Sequence, residues 1–342
     1  MKKTIDQTLR FGVIGCGIMA EKVHCPNIEE IDGAKTVAYC DLDESKAENL
    51  LQIFGGEYAT TSSERIFNDS SIDAVMIIVG PSVHARLVQA AAAAGKHIFV
   101  EKPIAIDLKD ALETVRVVEE SGVKFIHGTC NRLAPNVLRA KKMCPKPLYS
   151  VCQCADSITH QAVHNLDLAV NLFHQSQLTT IYASGINGWN IKEDSHLPVD
   201  SFSAVLTFAD GSTHTYVQHG PSYNALLSKY SFQLFGPDKC VYLARRFKEV
   251  HEMTERNKIN RSWTFEGDDT DRGPHGYMGH YEELQNLVDV IGTDGIGEMT
   301  VRDAAYVLAV EKAILHSVEH RQLVNFKEFL EQNEASFLLE GR

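Results

Sequence analysis

The chain has 342 residues, 44% hydrophobic and 23% charged, with 33 basic against 45 acidic side chains and a net charge of −12. That length is too great for one ordinary core and suits two domains, and the composition is that of a globular protein rather than a disordered or fibrous one. The acidic balance, with no concentrated basic face, argues against nucleic-acid partners and against an anionic membrane surface.

No segment approaches the ~20 apolar residues needed to span a bilayer. The N-terminus runs from two lysines straight into a strand pattern, which is not the pattern of a signal peptide. Eight scattered cysteines, none in a Cys-x-x-Cys pair, fit a reduced, cytoplasmic setting.

The first 128 residues alternate strand and helix patterns. "RFGVIG" is a short apolar run ending on glycine, followed by a helical stretch to about Glu30. "KTVAYCD" (35–41) is a second strand. "DAVMIIV" (73–79) is apolar almost throughout, as suits a parallel strand covered on both faces. "VHARLVQAAAAAGK" reads as a helix closing on Gly95, "HIFVEKP" as a strand, "LKDALETVRVVEESG" as a helix closing on Gly122, and "VKFIHGT" as another strand. This alternation predicts a parallel sheet wound by crossover helices.

After Thr129 the pattern changes. "LDLAVNLFHQ" reads as a helix, and most of the chain from there to about residue 266 is β-like, with turns at Asp210-Gly211 and Gly236-Pro237-Asp238. Asp-Gly between two alternating runs is a hairpin signal. Cys152 and Cys154 share one strand face and read as packing; His174 and His251 read as packing or surface residues. Two helices, about 277–291 and 301–319, come last. The expected organisation is an α/β nucleotide-binding domain over 1–128 and a second α/β domain over 129–342, with a large, mostly antiparallel open sheet backed by helices.

"GVIGCGIMA" places Gly15-x-Gly17-x-x-Ala20 after a strand and at the opening of a helix. Gly15 permits the tight turn, Gly17 lets the backbone approach a pyrophosphate, and Ala20 lets the helix pack on the strand. The helix start supplies unpaired N–H groups to the phosphates. Asp41, at the end of the second strand, is placed to accept the adenosine ribose hydroxyls. Leu42 and Asp43 come next, so nothing basic waits for a 2′-phosphate, and NAD is expected rather than NADP.

The strand "HIFV" stops on Glu101, Lys102 and Pro103. Ligands of open α/β sheets sit outside the carboxyl ends of the strands, where Pro81 and His84 also fall. Lys102 is therefore aimed at the nicotinamide end of a dinucleotide, with Glu101 setting its charge state. A salt-bridged turn is the plainer alternative.

These segments resemble the Gfo/Idh/MocA oxidoreductases, most strongly in "GVIGCGIMA", "GPSVHARLVQAAAAAGKHIFVEKPIA" and "NRLAP", and more loosely through the C-terminal "YEELQNLVDVI". The resemblance implies an N-terminal Rossmann domain and a C-terminal domain whose open sheet forms homodimer or homotetramer contacts. It also implies a nicotinamide cofactor held by Gly15, Gly17, Ile18, Met19, Asp41, Pro81, His84, Glu101, Lys102 and Asn131, and a sugar or polyol substrate. The Lys102–Pro103 bond is a candidate for the cis form.

In that family the catalytic histidine has an aspartate four residues before it and another three after. Here His164 takes the histidine place and Asp167 the later aspartate, but the upstream place is His160, which brings no fixed negative charge. The resemblance assigns His164 as general base and Lys102 as the stabiliser of the developing alkoxide. His160 and Asp167 join Lys102 and His164 around the substrate, Asp167 serving either to orient the imidazole or as a core partner. No metal is assigned, although His160 and His164, four apart on a helix, could form half a metal site with His219, His275 or His280.

The expected function is an NAD-dependent oxidoreductase of a sugar, sugar derivative or cyclic polyol. A non-catalytic NAD-binding sensor and a glycoside-cleaving enzyme using NAD transiently are the alternatives.

Overall fold

A computed structural model describes residues 8–155, 158–186, 201–219, 230–254, 258–265, 273 and 276–342. The chain divides into two compact units, Met1–Cys130 with Gly267–Ala304, and Asn131–Glu266 with Ala305–Arg342.

The first unit carries β1 (Leu9–Ile14), β2 (Ala34–Cys40), β3 (Tyr58–Thr60), β4 (Ala74–Ile77), β5 (His97–Glu101) and β6 (Phe125–Gly128). They form one parallel sheet in the order β3-β2-β1-β4-β5-β6. All of β4 is buried, as its unbroken apolar run requires. Crossover helices include Glu44–Phe54, His84–Ala93 and Leu108–Ser121. The last two end where Gly95 (φ 71°) and Gly122 (φ 69°) take the left-handed conformation, which a Cβ disfavours. The strand order reverses between β1 and β4, so a crevice opens at their carboxyl ends.

Residues Gly267–Ala304 group with this unit, whereas the sequence reading kept everything after residue 128 in the second domain. The helix His280–Val290 packs on β5, β6 and the helix Cys25–Glu29, burying Leu284, Leu287 and Val288. The Met299 carbonyl accepts from the His127 N–H at 3.0 Å. An amphipathic period marks a buried face but does not say which core receives it.

The second unit carries β7 (Tyr149–Cys154), β8 (Leu178–Ile186), β9 (Ser201–Phe208), β10 (Thr213–His219), β11 (Tyr230–Phe235), β12 (Cys240–Ala244), β13 (Glu249–Met253), β14 (Arg261–Thr264) and β15 (Val324–Asn325). Their order is β14-β13-β12-β11-β7-β10-β9-β8-β15. Every pair is antiparallel except β7 with β10. Asp210-Gly211 makes the β9–β10 hairpin, with Gly211 at φ 83°. Gly236 N–H donates to the Lys239 carbonyl between β11 and β12.

The sheet is one-sided. Ile181, Leu206, His214, Ser150, Leu234 and Val241 form a buried row across it. The neighbouring row on the other face includes Tyr182, 47% exposed, and Val205, 42% exposed.

The buried face carries a polar chain. Ser150 Oγ lies 2.7 Å from both His174 Nε2 and His214 Nδ1, and His174 Nδ1 lies 2.9 Å from Ser212 Oγ, whose hydroxyl donates to Asp210. Burial pushes His174 down to about 4, with Asp210 pulling the other way, and drives His214 well below its ordinary value. The unfolded chain protonates both imidazoles near pH ~6.5, so between pH 6.5 and about 4 it binds more protons than the folded chain. Their contribution to stability is full above that window and is lost as the pH falls through it. Urea unfolding followed from pH 7.5 to 4 is expected to show this loss, and His174→Gln to flatten the slope.

Candidate active site

The glycine loop is set by contact with β4. Gly15 has φ 95°, and a Cβ there would stand 2.1 Å from the Ile78 carbonyl oxygen. The chain passes too close for any side chain. Gly17 is the opposite case: a Cβ there would meet nothing within 4 Å, so its bare backbone faces open space. Helix begins at Ile18 and runs through a π-helical turn, Ala20–His24, into Cys25–Glu29.

A cavity of about 430 Å³ lies here, lined among others by Gly15, Gly17, Asp41, Leu42, Val79 and Arg86. Asp41 Oδ2 accepts from the Cys16 N–H at 2.8 Å and Oδ1 from the Asp43 N–H at 3.0 Å. Each carboxylate oxygen has a second lone pair for a ribose hydroxyl.

Leu42, 93% exposed, and Ile18, 77% exposed, present apolar surface beside this loop, and Met19 is half-buried. An open, side-chain-free helix start with a carboxylate at the end of the second strand fits a dinucleotide. Arg86, on the cavity wall, escaped the sequence reading because it stands far along the chain from Asp41. The Asp41 charge still opposes a 2′-phosphate.

At the next strand end the Lys102–Pro103 bond is cis. Glu101 Oε2 accepts from the Lys102 N–H at 3.1 Å, and Oε1 lies 2.8 Å from His24 Nε2. Burial raises the Glu101 pKa, but the hydrogen bond and charge of His24, with Lys102 and His280 adding to them, hold the carboxyl well below the usual range. Glu101 is thus an anchored anion rather than a solvent-facing one, and the Lys102 side chain beyond it is half-buried.

Pro81 opens the short turn Pro81–Val83. His84, wholly buried, has its ring nitrogens 2.6 Å from the Pro103 carbonyl and 2.9 Å from the Val79 carbonyl. Burial lowers its pKa, against the two carbonyl contacts. In this geometry His84 ties the end of β4 to the turn after β5, and its burial leaves it no surface for a cofactor.

The second unit places His164 and Asp167 on the one-turn helix Val163–Asp167, between the π-helical turns Ile158–Ala162 and Leu168–Phe173. Both are buried. Asp167 Oδ2 accepts from Arg132 Nε at 2.9 Å, and Oδ1 accepts from the other arm of the same guanidinium and from Asn171 Nδ2 at 2.8 Å. Of the two roles expected for Asp167, this geometry is that of a core partner. Arg132 went unassigned although it stands in "NRLAP"; a buried guanidinium needs a carboxylate.

Asn131 is buried, its amide 3.4 Å from Tyr230 Oη within the same unit. The backbone of His160 lies in the turn Ile158–Ala162, but its side chain falls outside the described residues, as does His275. His219 ends β10. His280 belongs to the first unit, with Nε2 3.7 Å from Cys130 Sγ. Lys102 and His164 belong to different units.

Known proteins resemble this chain in sequence and in fold. The Gfo/Idh/MocA model, an oxidoreductase family with an NAD-binding Rossmann fold, matches residues 9–129. A myo-inositol 2-dehydrogenase of Thermotoga maritima is 25% identical over 227 residues, 60% of this chain and 66% of its own. An NAD(+)-dependent scyllo-inositol 2-dehydrogenase of Bacillus subtilis is 30% identical over 151 residues, 42% of this chain and 44% of its own. The chain thus spans less than two thirds of either relative's length.

An oxidoreductase of Agrobacterium radiobacter, solved with NAD+, L-tartaric acid and magnesium, shares the fold with a TM-score of 0.81 at 18% identity, over 95% of this chain and 100% of that one. The glycine loop, the Asp41 shelf and the strand-end lysine lie within residues 9–129, the segment that matches the Gfo/Idh/MocA oxidoreductase family with its NAD-binding Rossmann fold.

Proposed function

We propose that the protein is an NAD-dependent dehydrogenase or reductase acting on a secondary alcohol or ketone of a sugar, sugar derivative or cyclic polyol. The observation that carries this reading is Lys102, at the carboxyl end of β5 beside a buried, anionic Glu101, in the same unit as the cavity lined by Gly15, Gly17 and Asp41. The inositol dehydrogenases among its relatives support the substrate class.

NAD, when bound, supplies the hydride acceptor. The residues of the chain do the rest. Gly15, Gly17 and Asp41 seat the nucleotide, and the Lys102 ammonium offsets the negative charge that develops on the substrate oxygen. His164 takes the hydroxyl proton; an imidazole with an unperturbed pKa near ~6.5 suits that step at neutral pH. Asp167 acts through the core, fixing Arg132 beneath the helix that carries His164. The eight free thiols suit a reducing cytoplasm. The half-exposed row around Tyr182 and Val205 supports assembly as a homodimer or homotetramer through the open sheet.

Lys102→Ala and His164→Ala are each expected to lower turnover of NAD with myo- or scyllo-inositol by ~10²-fold or more. NADH affinity, read by fluorescence titration, should stay within a few-fold in both. Gly15→Ala should abolish NADH binding. A wild-type protein that binds NADH yet turns over no sugar or polyol in a broad panel would remove the enzymatic reading. Val205→Glu is expected to shift the sedimentation coefficient toward that of a monomer.

A further inference from the structure

One buried cluster of the first unit is not used by the proposed chemistry. His24, His280 and Glu283 each bring a donor atom to within 4.8 Å of the others, and all three are buried. We propose that they hold one divalent transition-metal cation, at a site outside the lining of the nucleotide cavity.

Two buried polar atoms in the cluster lack partners, and a neutral His24 that donates its Nε2 proton to Glu101 presents a lone pair at Nδ1. His24 Nδ1 and Glu283 Oε2 are both fully buried and make no hydrogen bond. A buried polar atom is nearly always satisfied, and an unseen ion is one of the few explanations when it is not. Their neighbours are already placed as outer supports. Glu101 Oε1 takes the other ring nitrogen of His24 at 2.8 Å, the carboxylate–histidine arrangement that orients a metal-binding imidazole. Cys130 Sγ lies 3.7 Å from His280 Nε2, and Glu283 Oε1 lies 3.1 Å from His280 Nδ1.

Charge points the same way. Glu101 and Glu283 are two carboxyls in one dry region, and Glu283 appears in no ion pair with a lysine or arginine among the described residues. A divalent ion neutralises both carboxylates without protonating Glu283. Two imidazoles with one carboxylate suit zinc or its first-row neighbours and not magnesium or calcium, which prefer oxygen. Tetrahedral bonds of about 2.0–2.2 Å set donor atoms about 3.4 Å apart, so those now as much as 4.8 Å apart must draw in around the ion. His280 and Glu283 stand three apart on one helix, a spacing that lets both face one ion, whereas His24 is far from them in the chain, so folding completes the site.

The test uses the full chain without a histidine tag. Metal content is measured by mass spectrometry, and chelator-treated protein is titrated with Zn²⁺ against a chromophoric competitor. One equivalent with sub-micromolar affinity is expected. His280→Asn and the near-isosteric Glu283→Gln should each weaken it at least ~100-fold, and Glu101→Gln about tenfold. Zn²⁺ should raise the melting temperature of the parent and of neither ligand variant.

Unchanged one-equivalent binding in both ligand variants would place the ion on other histidines of the fifteen and overturn the proposal. So would the absence of saturation at tens of micromolar. Co²⁺ bound to the parent decides the matter even if a variant fails to fold. Visible d–d bands without ultraviolet thiolate charge transfer support the site, and a strong thiolate band rules it out.

Discussion

His24 leaves the glycine loop within a π-helical turn, and its imidazole meets Glu101 at the far end of β5. That single contact joins the element that seats a nucleotide to the element that carries Lys102. Neither side chain can look to solvent for help, since both are buried. Phe99 lies 4.9 Å from the His24 ring, so the bond is made against apolar surface, where an unmet charge would be costly. The anion at Glu101 is sustained by its surroundings, and the direction of the strand end depends on it.

The same region drives its two carboxyls apart. Glu101 is held ionised, whereas burial, followed by the charges of Glu101 and Glu282, pushes Glu283 well above its ordinary value. Like charges in a dry space cannot both persist without a compensating cation. In the second unit the equivalent problem is solved by Arg132, which takes both oxygens of Asp167. A pair of that kind adds little net stability but is costly to break, because the survivor is left buried and alone. Both units therefore brace their site residues with buried charge rather than with surface contacts.

The features legible in the sequence were local ones. Gly15 and Gly17, the hairpin at Asp210-Gly211, the caps at Gly95 and Gly122, and the Glu101-Lys102-Pro103 strand end each announce themselves within a few residues, because backbone conformation and strand termination are short-range matters. The parallel and mostly antiparallel sheets were readable from periodicity. Nothing short-range links His24 with His280, or Arg132 with Asp167. Such partners are chosen by the fold, and each alone looks like an ordinary core or surface residue. His84 shows the converse: its place after a strand end suggested contact with a ligand, yet burial made it a tie between two carbonyls. The two-residue strand β15 was also missed, since so short a segment carries no pattern.

The return of Gly267–Ala304 to the first unit means that the parallel-sheet unit is discontinuous. During synthesis its six strands emerge first, but the helix His280–Val290 that covers β5 and β6 reaches them only after nearly all of the nine-stranded sheet has been made. Until then the apolar backs of those two strands must wait uncovered, in a cell where nascent apolar surface invites chaperones. The antiparallel half is discontinuous too, resuming at Ala305, so the segment that covers the nucleotide half leaves the ribosome before the antiparallel half is complete.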